Sequence, residues 1–464
     1  MKHIFFKPIK LRKFFCTLFL CLLCINIFLP KISLAASKEE VDNLISTIPT
    51  DIWPQAPDIA SEAGILIEPE SGTILYAKNA TEALYPASTT KLMTALLTLE
   101  NCSLEEVVTY SSTAVLSLEP GSSHIGLKVG EQLTVKDSLY GLLLPSANEV
   151  ANGLAEHVSG SISAFADKMN EKAASLGAVN THFANANGLH DDNHYTCAYD
   201  LALIMQACIQ NPTFLEIDST PTYVRKADSL LNKEIPMGST HKMMRENTEY
   251  YDPNVICGKT GWTQQAGRCL VTYAQKDGLS LICVVMKSED PQQYQDTKAL
   301  LDYGFNNFKE MRASENDPDF EQGQVSSSSP LKLPQESISL STLSNDSFVV
   351  MPNSISFDQL DKTISETENE QSTITYSLEG YTLGSAALIP STQTVANNMF
   401  SNDTNHSDVF DSPVNHLFVL NVWVVLSIVL LIIAAIIGLI VLIQYRKEQK
   451  EKERKKEDRP RYRY

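Results

Sequence analysis

Two short apolar runs, "AGILI" and "TILYA", flank the polar segment "EPESG" between residues 63 and 77. A turn-forming segment between such runs predicts a β-hairpin. Downstream, Leu92, Leu96 and Leu99 recur at helical spacing, and Pro86 stands just before them. Helical patterns continue to about residue 210, with a break at Pro145. Residues 255–288, "VICGKTGWTQQAGRCLVTYAQKDGLSLICVVMKS", hold three β-rich runs separated by "TQQAG" and "KDG", the pattern of an antiparallel meander. Strands at both ends with helices between them predict an α+β domain whose terminal strands share one sheet.

The pattern changes at both ends of the chain. The run "FFCTLFLCLLCINIFL" follows Lys2, Lys7, Lys10, Arg12 and Lys13 and precedes "SLA" at 33–35. A basic stretch, a short apolar run and small residues read as a signal peptide over 1–35. Residues 417–443 form a second apolar run, uncharged and longer than the roughly 20 residues that span a bilayer. It shows no polar face, so it is expected to be a transmembrane helix. Residues 444–464 carry ten Lys/Arg against five Asp/Glu, which places this basic tail in the cytoplasm. The expected location is the cell membrane, crossed once, with everything between signal and span outside.

Between the globular part and the span, composition divides the chain again. Residues 36–312 read as the main domain and 313–330 as a polar linker. Strand-like runs around turns then predict a small β domain over 331–390. An Asn-, Ser- and Thr-rich stalk follows over 391–416.

The net charge of −18 leaves −29 on residues 36–443 once the basic ends are set aside. So acidic a segment argues against nucleic acid as a partner. Cys102, Cys197, Cys208, Cys257, Cys269 and Cys283 form no C-x-x-C and no metal-ligand spacing with histidines. They read mainly as small core residues.

Candidate chemistry begins in "YPASTTKLMTALLTLE", residues 85–100, where Ser88 and Lys91 lie three apart on the first turn of a helix. A serine hydroxyl is a weak nucleophile until a base takes its proton. A lysine one turn away can do so if burial and nearby positive charge keep it neutral. The unpaired N–H groups of the helix start can stabilise an oxyanion. Taken alone, the four-residue match is weak, and a capping serine with a solvated lysine explains it better. In "LLLPSANEVA", 142–151, Pro145 ends a helix and is expected to expose Ser146 and Asn148. In "CGKTGWT", 257–263, Lys259 and Thr260 fall on a strand read as central, where a lysine is unusual. Gly261 there permits close approach of another group.

In the order S-x-x-K, S-x-N, K-T-G, these segments match the motif set of penicillin-binding proteins and serine β-lactamases. Longer stretches narrow the match, among them "SGTILYAKNATEALYPASTTKLMTALL", "GLKVGEQLTVKDSLYGLLLPSANEVANGLAEHVSG" and "MNEKAASLGAVNTHFANANGLHDDNHYTCAYDL". Over about 60–310 the chain resembles the D-alanyl-D-alanine carboxypeptidases, the S11 peptidase family. The resemblance implies the serine β-lactamase/DD-peptidase fold, an α+β fold with an antiparallel sheet flanked by helices, followed by a small C-terminal β domain. It implies release of the terminal D-alanine from peptidoglycan stem peptides ending in D-Ala-D-Ala, acylation by β-lactams, and no metal or cofactor. Carried over, Ser88 is the nucleophile, Lys91 its base, and Ser146 a proton relay to the leaving D-alanine. Asn148 holds the substrate amide, and Lys259 and Thr260 bind the terminal carboxylate. The backbone N–H groups of Ser88 and Trp262 form the oxyanion hole. Ala147 and Glu149 depart mildly from the glycine and aspartate usual in the family, and a spanning anchor departs from its common amphipathic one. Two alternatives share the motifs. A β-lactamase would need an efficient deacylating glutamate, and no convincing one lies between Ser146 and Lys259. A membrane-tethered penicillin sensor would signal through the short basic tail.

Overall fold

The computed structural model describes residues 38–49, 51–320, 341–344, 347–366 and 372–390. The expected signal peptide, stalk, transmembrane helix and cytoplasmic tail lie outside these residues. Among the described residues, no helix is long and apolar enough to cross a membrane.

The hairpin forms as the pattern predicts, from β1 (Ala63–Ile67) and β2 (Ile74–Lys78). The Glu68 carboxylate holds its turn, accepting from the N–H groups of Glu70 and Ser71 at 2.9 and 2.7 Å. The meander is β3 (Val255–Thr263), β4 (Gly267–Lys276) and β5 (Leu279–Ser288). β1 pairs with β5, so the terminal strands do share one antiparallel sheet, in the order β2-β1-β5-β4-β3. This order corrects one expectation: β3, which carries Lys259, is an edge strand.

Strand alternation gives the sheet two apolar faces. Ile65, Ile67, Val271, Ile282 and Val284 face a helical layer that contains α1 (Lys91–Asn101), α2 (Asn148–Ser159) and α3 (Ala198–Ile209). Leu66, Leu270, Cys283 and Val285 face α4 (Gln292–Asn307) on the other side. α1 is buried nearly all round because it runs through the middle of the helical layer, with Leu92, Ala95 and Leu96 buried and Lys91, Thr94 and Thr98 as a buried polar stripe.

The small β domain starts earlier than its composition suggests. Its sheet runs β6 (Phe308–Arg312), β8 (Phe348–Pro352), β11 (Tyr381–Pro390), β10 (Ser372–Leu378), β9 (Asp361–Glu366), and β7 (Ser341–Leu343) pairs with β11. Ala313 and Phe320, within the segment read as linker, belong to its core with Val349, Met351, Ile374 and Tyr376. Polar spacing hid this, because Asp317 is buried against Tyr376 and Lys362 rather than solvated. Tyr381 fixes the domain to the hairpin: its hydroxyl accepts from Ile74 N–H at 2.9 Å and donates to Ile74 O at 2.8 Å.

Candidate active site

Ala87–Thr90 form a 3-10 turn that runs directly into α1. Ser88 and Lys91 therefore meet as their spacing predicts, with Lys91 Nζ 3.0 Å from Ser88 Oγ. Ala87 has φ +48°, a strained value for a residue with a Cβ. The turn is clamped from several sides. The Thr89 and Thr90 hydroxyls donate back to the Pro86 and Ala87 carbonyls, each at 2.8 Å. Thr90 Oγ1 also lies 2.7 Å from His194 Nε2, while His194 Nδ1 accepts from Ala184 N–H at 3.0 Å. Nε2 must then carry the proton, so the chain of donors runs from His194 through Thr90 to the Ala87 carbonyl. Burial pushes His194 down to about 4, which keeps the ring neutral. Gly188, at φ +84°, completes the clamp; a Cβ there would sit 1.9 Å from Ala87 O.

Lys91 is fully buried and its Nζ also donates to Asn148 Oδ1 at 2.7 Å and to the Asn187 carbonyl at 2.6 Å. Burial first, then the positive charge of Lys259, holds its amine well below the usual lysine range, against the opposing pull of Glu149. A neutral amine has two N–H bonds and one lone pair. Asn148 and Asn187 take the two N–H bonds, and the lone pair is left for the Ser88 hydroxyl. That is the arrangement a general base requires.

The helix ahead of Ser146 ends at Leu143, as Pro145 requires. Ser146 itself has φ +64°. The expectation that this break exposes Ser146 and Asn148 is corrected: they are 4% and 3% exposed, because the segment folds against Lys91. Asn148 opens α2, held by its N–H bond to Ser123 O at 2.8 Å. Ser146 Oγ is buried with no hydrogen-bond partner among the described residues. A buried hydroxyl left unpaired is costly, and it is free to take a proton from one group and pass it to another.

Lys259 is 1% exposed although β3 is an edge. The serine turn packs on the same face of β3: a Cβ on Gly261 would lie 2.8 Å from Pro86 O and 3.2 Å from Ser88 N. The same approach sets the backbone before Trp262 beside the Ser88 N–H, while the Trp262 side chain is exposed. Burial lowers Lys259 to about 8, with Asp218 opposing the fall. Asp218 accepts from Gly258 N–H at 2.9 Å and is raised by burial to about 7, with Lys259 pulling it down. Thr260 Oγ1 lies 2.7 Å from Thr240 Oγ1. His241, behind Lys259, is lowered to about 3 by burial and then by the Lys259 charge, so it adds no second cation.

Six residues of this constellation escaped the motif reading: Thr90, Asn187, His194, Asp218, Thr240 and His241. Asn187 acts through its backbone carbonyl, which no side-chain pattern announces. Asp218 did leave a signal, an acidic residue closing the apolar run "PTFLEID".

Comparison with known proteins decides the family. The D-alanyl-D-alanine carboxypeptidase model, peptidase S11, matches residues 51–290, more than half of the chain. The chain belongs to that family. Among its relatives, D-alanyl-D-alanine carboxypeptidase DacF of Bacillus subtilis is 34% identical over 258 residues, 54% of this chain and 64% of the relative. This chain thus spans less than two thirds of that relative's length. The D-alanyl-D-alanine carboxypeptidase of a Streptomyces species is 33% identical over 54% of this chain and 88% of its own. The crystal structure of the Streptomyces K15 DD-transpeptidase superposes with a TM-score of 0.50 at 30% identity, covering 54% of this chain and 99% of that one. Penicillin-binding protein 6B of Escherichia coli, at 24% identity and a TM-score of 0.55, extends the fold likeness to 73% of this chain.

Proposed function

We propose that this S11 family member is a serine D-Ala-D-Ala carboxypeptidase that removes the terminal D-alanine from peptidoglycan stem peptides through an acyl-enzyme. The observation that carries the reading is the triple contact of the buried Lys91 amine with Ser88 Oγ, Asn148 Oδ1 and Asn187 O. Lys91 takes the Ser88 proton as Oγ attacks the penultimate carbonyl carbon. The oxyanion that forms is held by the N–H groups of Ser88 and Trp262. Ser146 passes a proton to the departing nitrogen, the C–N bond breaks, and D-alanine leaves. Water then cleaves the Ser88 ester. Asn148 also holds the substrate amide, while Lys259 and Thr260 bind the carboxylate that only a chain end carries. A β-lactam acylates the same oxygen.

The chemistry suits a substrate outside the cell. The basic and apolar N-terminus, the uncharged run 417–443 and the basic tail support export and a single membrane anchor, with residues 36–415 outside. The test of the site is mass mapping of a penicillin adduct. The adduct should fall on Ser88, vanish in Ser88→Ala, and form on the order of 10²–10⁴-fold more slowly in Lys91→Arg, whose guanidinium cannot accept the proton. An adduct on another residue, or normal acylation by Lys91→Arg, would refute the assignment.

A further inference from the structure

We propose that Cys102, Glu106 and His157 form a binding site for one divalent ion of the zinc class. The ion would fasten the far ends of α1 and α2, the two helices whose first residues deliver Lys91 and Asn148. Cys102 caps the C-terminus of α1, and His157 lies in the last turn of α2. Glu106 stands between them in the connection that follows α1. One ligand atom from each residue lies within 4.8 Å of the other two.

The donor set is sulfur, nitrogen and carboxylate oxygen, the three kinds that zinc accepts. His157 Nε2 and Glu106 Oε2 are 3.0 Å apart. Metal–ligand bonds of about 2.0–2.3 Å in a tetrahedron space neighbouring ligand atoms roughly 3.3–3.8 Å apart. That pair is therefore already near its bound separation, and Cys102 needs a movement of about an ångström or less. Glu106 is oriented for the task. Its Oε1 accepts from the N–H and hydroxyl of Ser103 at 2.7 and 3.1 Å, while Oε2 meets His157 Nε2 in the hydrogen bond that the ion would replace. Its backbone is pinned as well, since Glu106 O accepts from Val135 N–H at 2.8 Å. A carboxylate braced in this way is the outer support that metal ligands usually have.

Accessibility and charge agree. The other five cysteines of the described residues are buried, and Cys102 alone is partly exposed. An ion can reach it, and water can fill a fourth position. Binding forms Zn–S, Zn–N and Zn–O bonds, breaks the Cys102 S–H bond and releases that proton to solvent. No electron is transferred. One thiolate and one carboxylate neutralise the two positive charges, so the half-buried site carries no net charge. The site is not catalytic. It lies at the opposite ends of α1 and α2 from Ser88 and Asn148. The sequence could not show it, because His157 is distant from the Cys102–Glu106 segment along the chain.

The test uses the purified full chain, stripped of metal by a chelator and kept reduced, titrated with Co²⁺ as a spectroscopic substitute for zinc. A thiolate-to-cobalt charge-transfer band should appear, saturate at one ion per chain and be displaced by Zn²⁺. It should be absent in Cys102→Ser. Loss of an outer partner alone weakens metal binding about 10–100-fold, so His157→Ala, which removes a ligand, should weaken it at least that much. Each variant is checked for a cooperative thermal transition. If Cys102→Ser fails that check, Glu106→Gln takes its place, with the same loss of affinity expected. No band in the wild type, a band that survives in folded Cys102→Ser, or undiminished affinity in His157→Ala or Glu106→Gln would each overturn the site.

Discussion

Replacing the terminal D-alanine of a substrate by D-alaninamide should expose the role of Lys259 and Thr260. Lys259 is buried, and the one hydrogen bond of its amine among the described residues goes to the Thr260 carbonyl at 3.0 Å. Its charge has Asp218 as an opposing anion, but no carboxylate in hydrogen-bond contact, so donors remain for a ligand. A hydrogen bond between charged groups is worth about 1.5–3 kcal/mol, and a buried partner left unsatisfied adds to the loss. The amide should therefore lose about 2–4 kcal/mol of transition-state stabilisation, on the order of 30- to 1000-fold in kcat/KM. Lys259 is charged below about 8. Raising the pH through that value removes its proton, so discrimination between acid and amide should shrink at pH 9. In Lys259→Ala the two substrates should differ little at any pH. The assay is release of D-alanine or D-alaninamide from matched peptides at pH 7 and pH 9. Equal turnover of acid and amide by the wild type at pH 7 would refute carboxylate recognition by this pair.

Other consequences follow from the same geometry. Ser146→Ala removes a buried hydroxyl that has no partner among the described residues, so its melting temperature should equal or exceed that of the wild type while kcat falls on the order of 10²-fold or more; unchanged kcat contradicts the relay. His194 is lowered from 6.5 to about 4 in the fold, so the unfolded chain binds the extra proton between those values. The stability it contributes is complete above 6.5 and is lost as pH falls toward 4, to the extent of about 3 kcal/mol. His194→Gln should flatten the loss of melting temperature between pH 7 and 4.5, and an equally steep loss would contradict this. Protease added to intact cells should release the catalytic domain and leave the tail beyond Arg446 intact; digestion of the tail without permeabilisation would overturn the topology.

Much of the architecture could be read along the chain because it rests on local periodicity. The hairpin turn, the meander and the helix broken at Pro145 are each set by neighbouring residues. The motif residues were legible for the same reason: Ser88 and Lys91 are one turn apart, so a helix must bring them together. What could not be read depends on distant packing. The serine turn lies over β3 at Gly261, and Lys259 is buried although it stands on an edge strand. The clamp on Ala87 joins Thr90 to His194 across more than a hundred residues, and Asn187 contributes only a carbonyl. The start of the small β domain was missed because Asp317, polar in sequence, is satisfied by Tyr376 and Lys362 inside the fold.

The central claim is that Ser88, activated by Lys91, cleaves the bond before a terminal D-alanine. It is tested most directly by D-alanine release from diacetyl-L-Lys-D-Ala-D-Ala, with the purified full chain and its Ser88→Ala variant. The wild type should release one D-alanine per peptide with repeated turnover, and Ser88→Ala should release none. Release that persists in Ser88→Ala, or a wild type that is acylated by penicillin yet leaves the peptide intact, would contradict it.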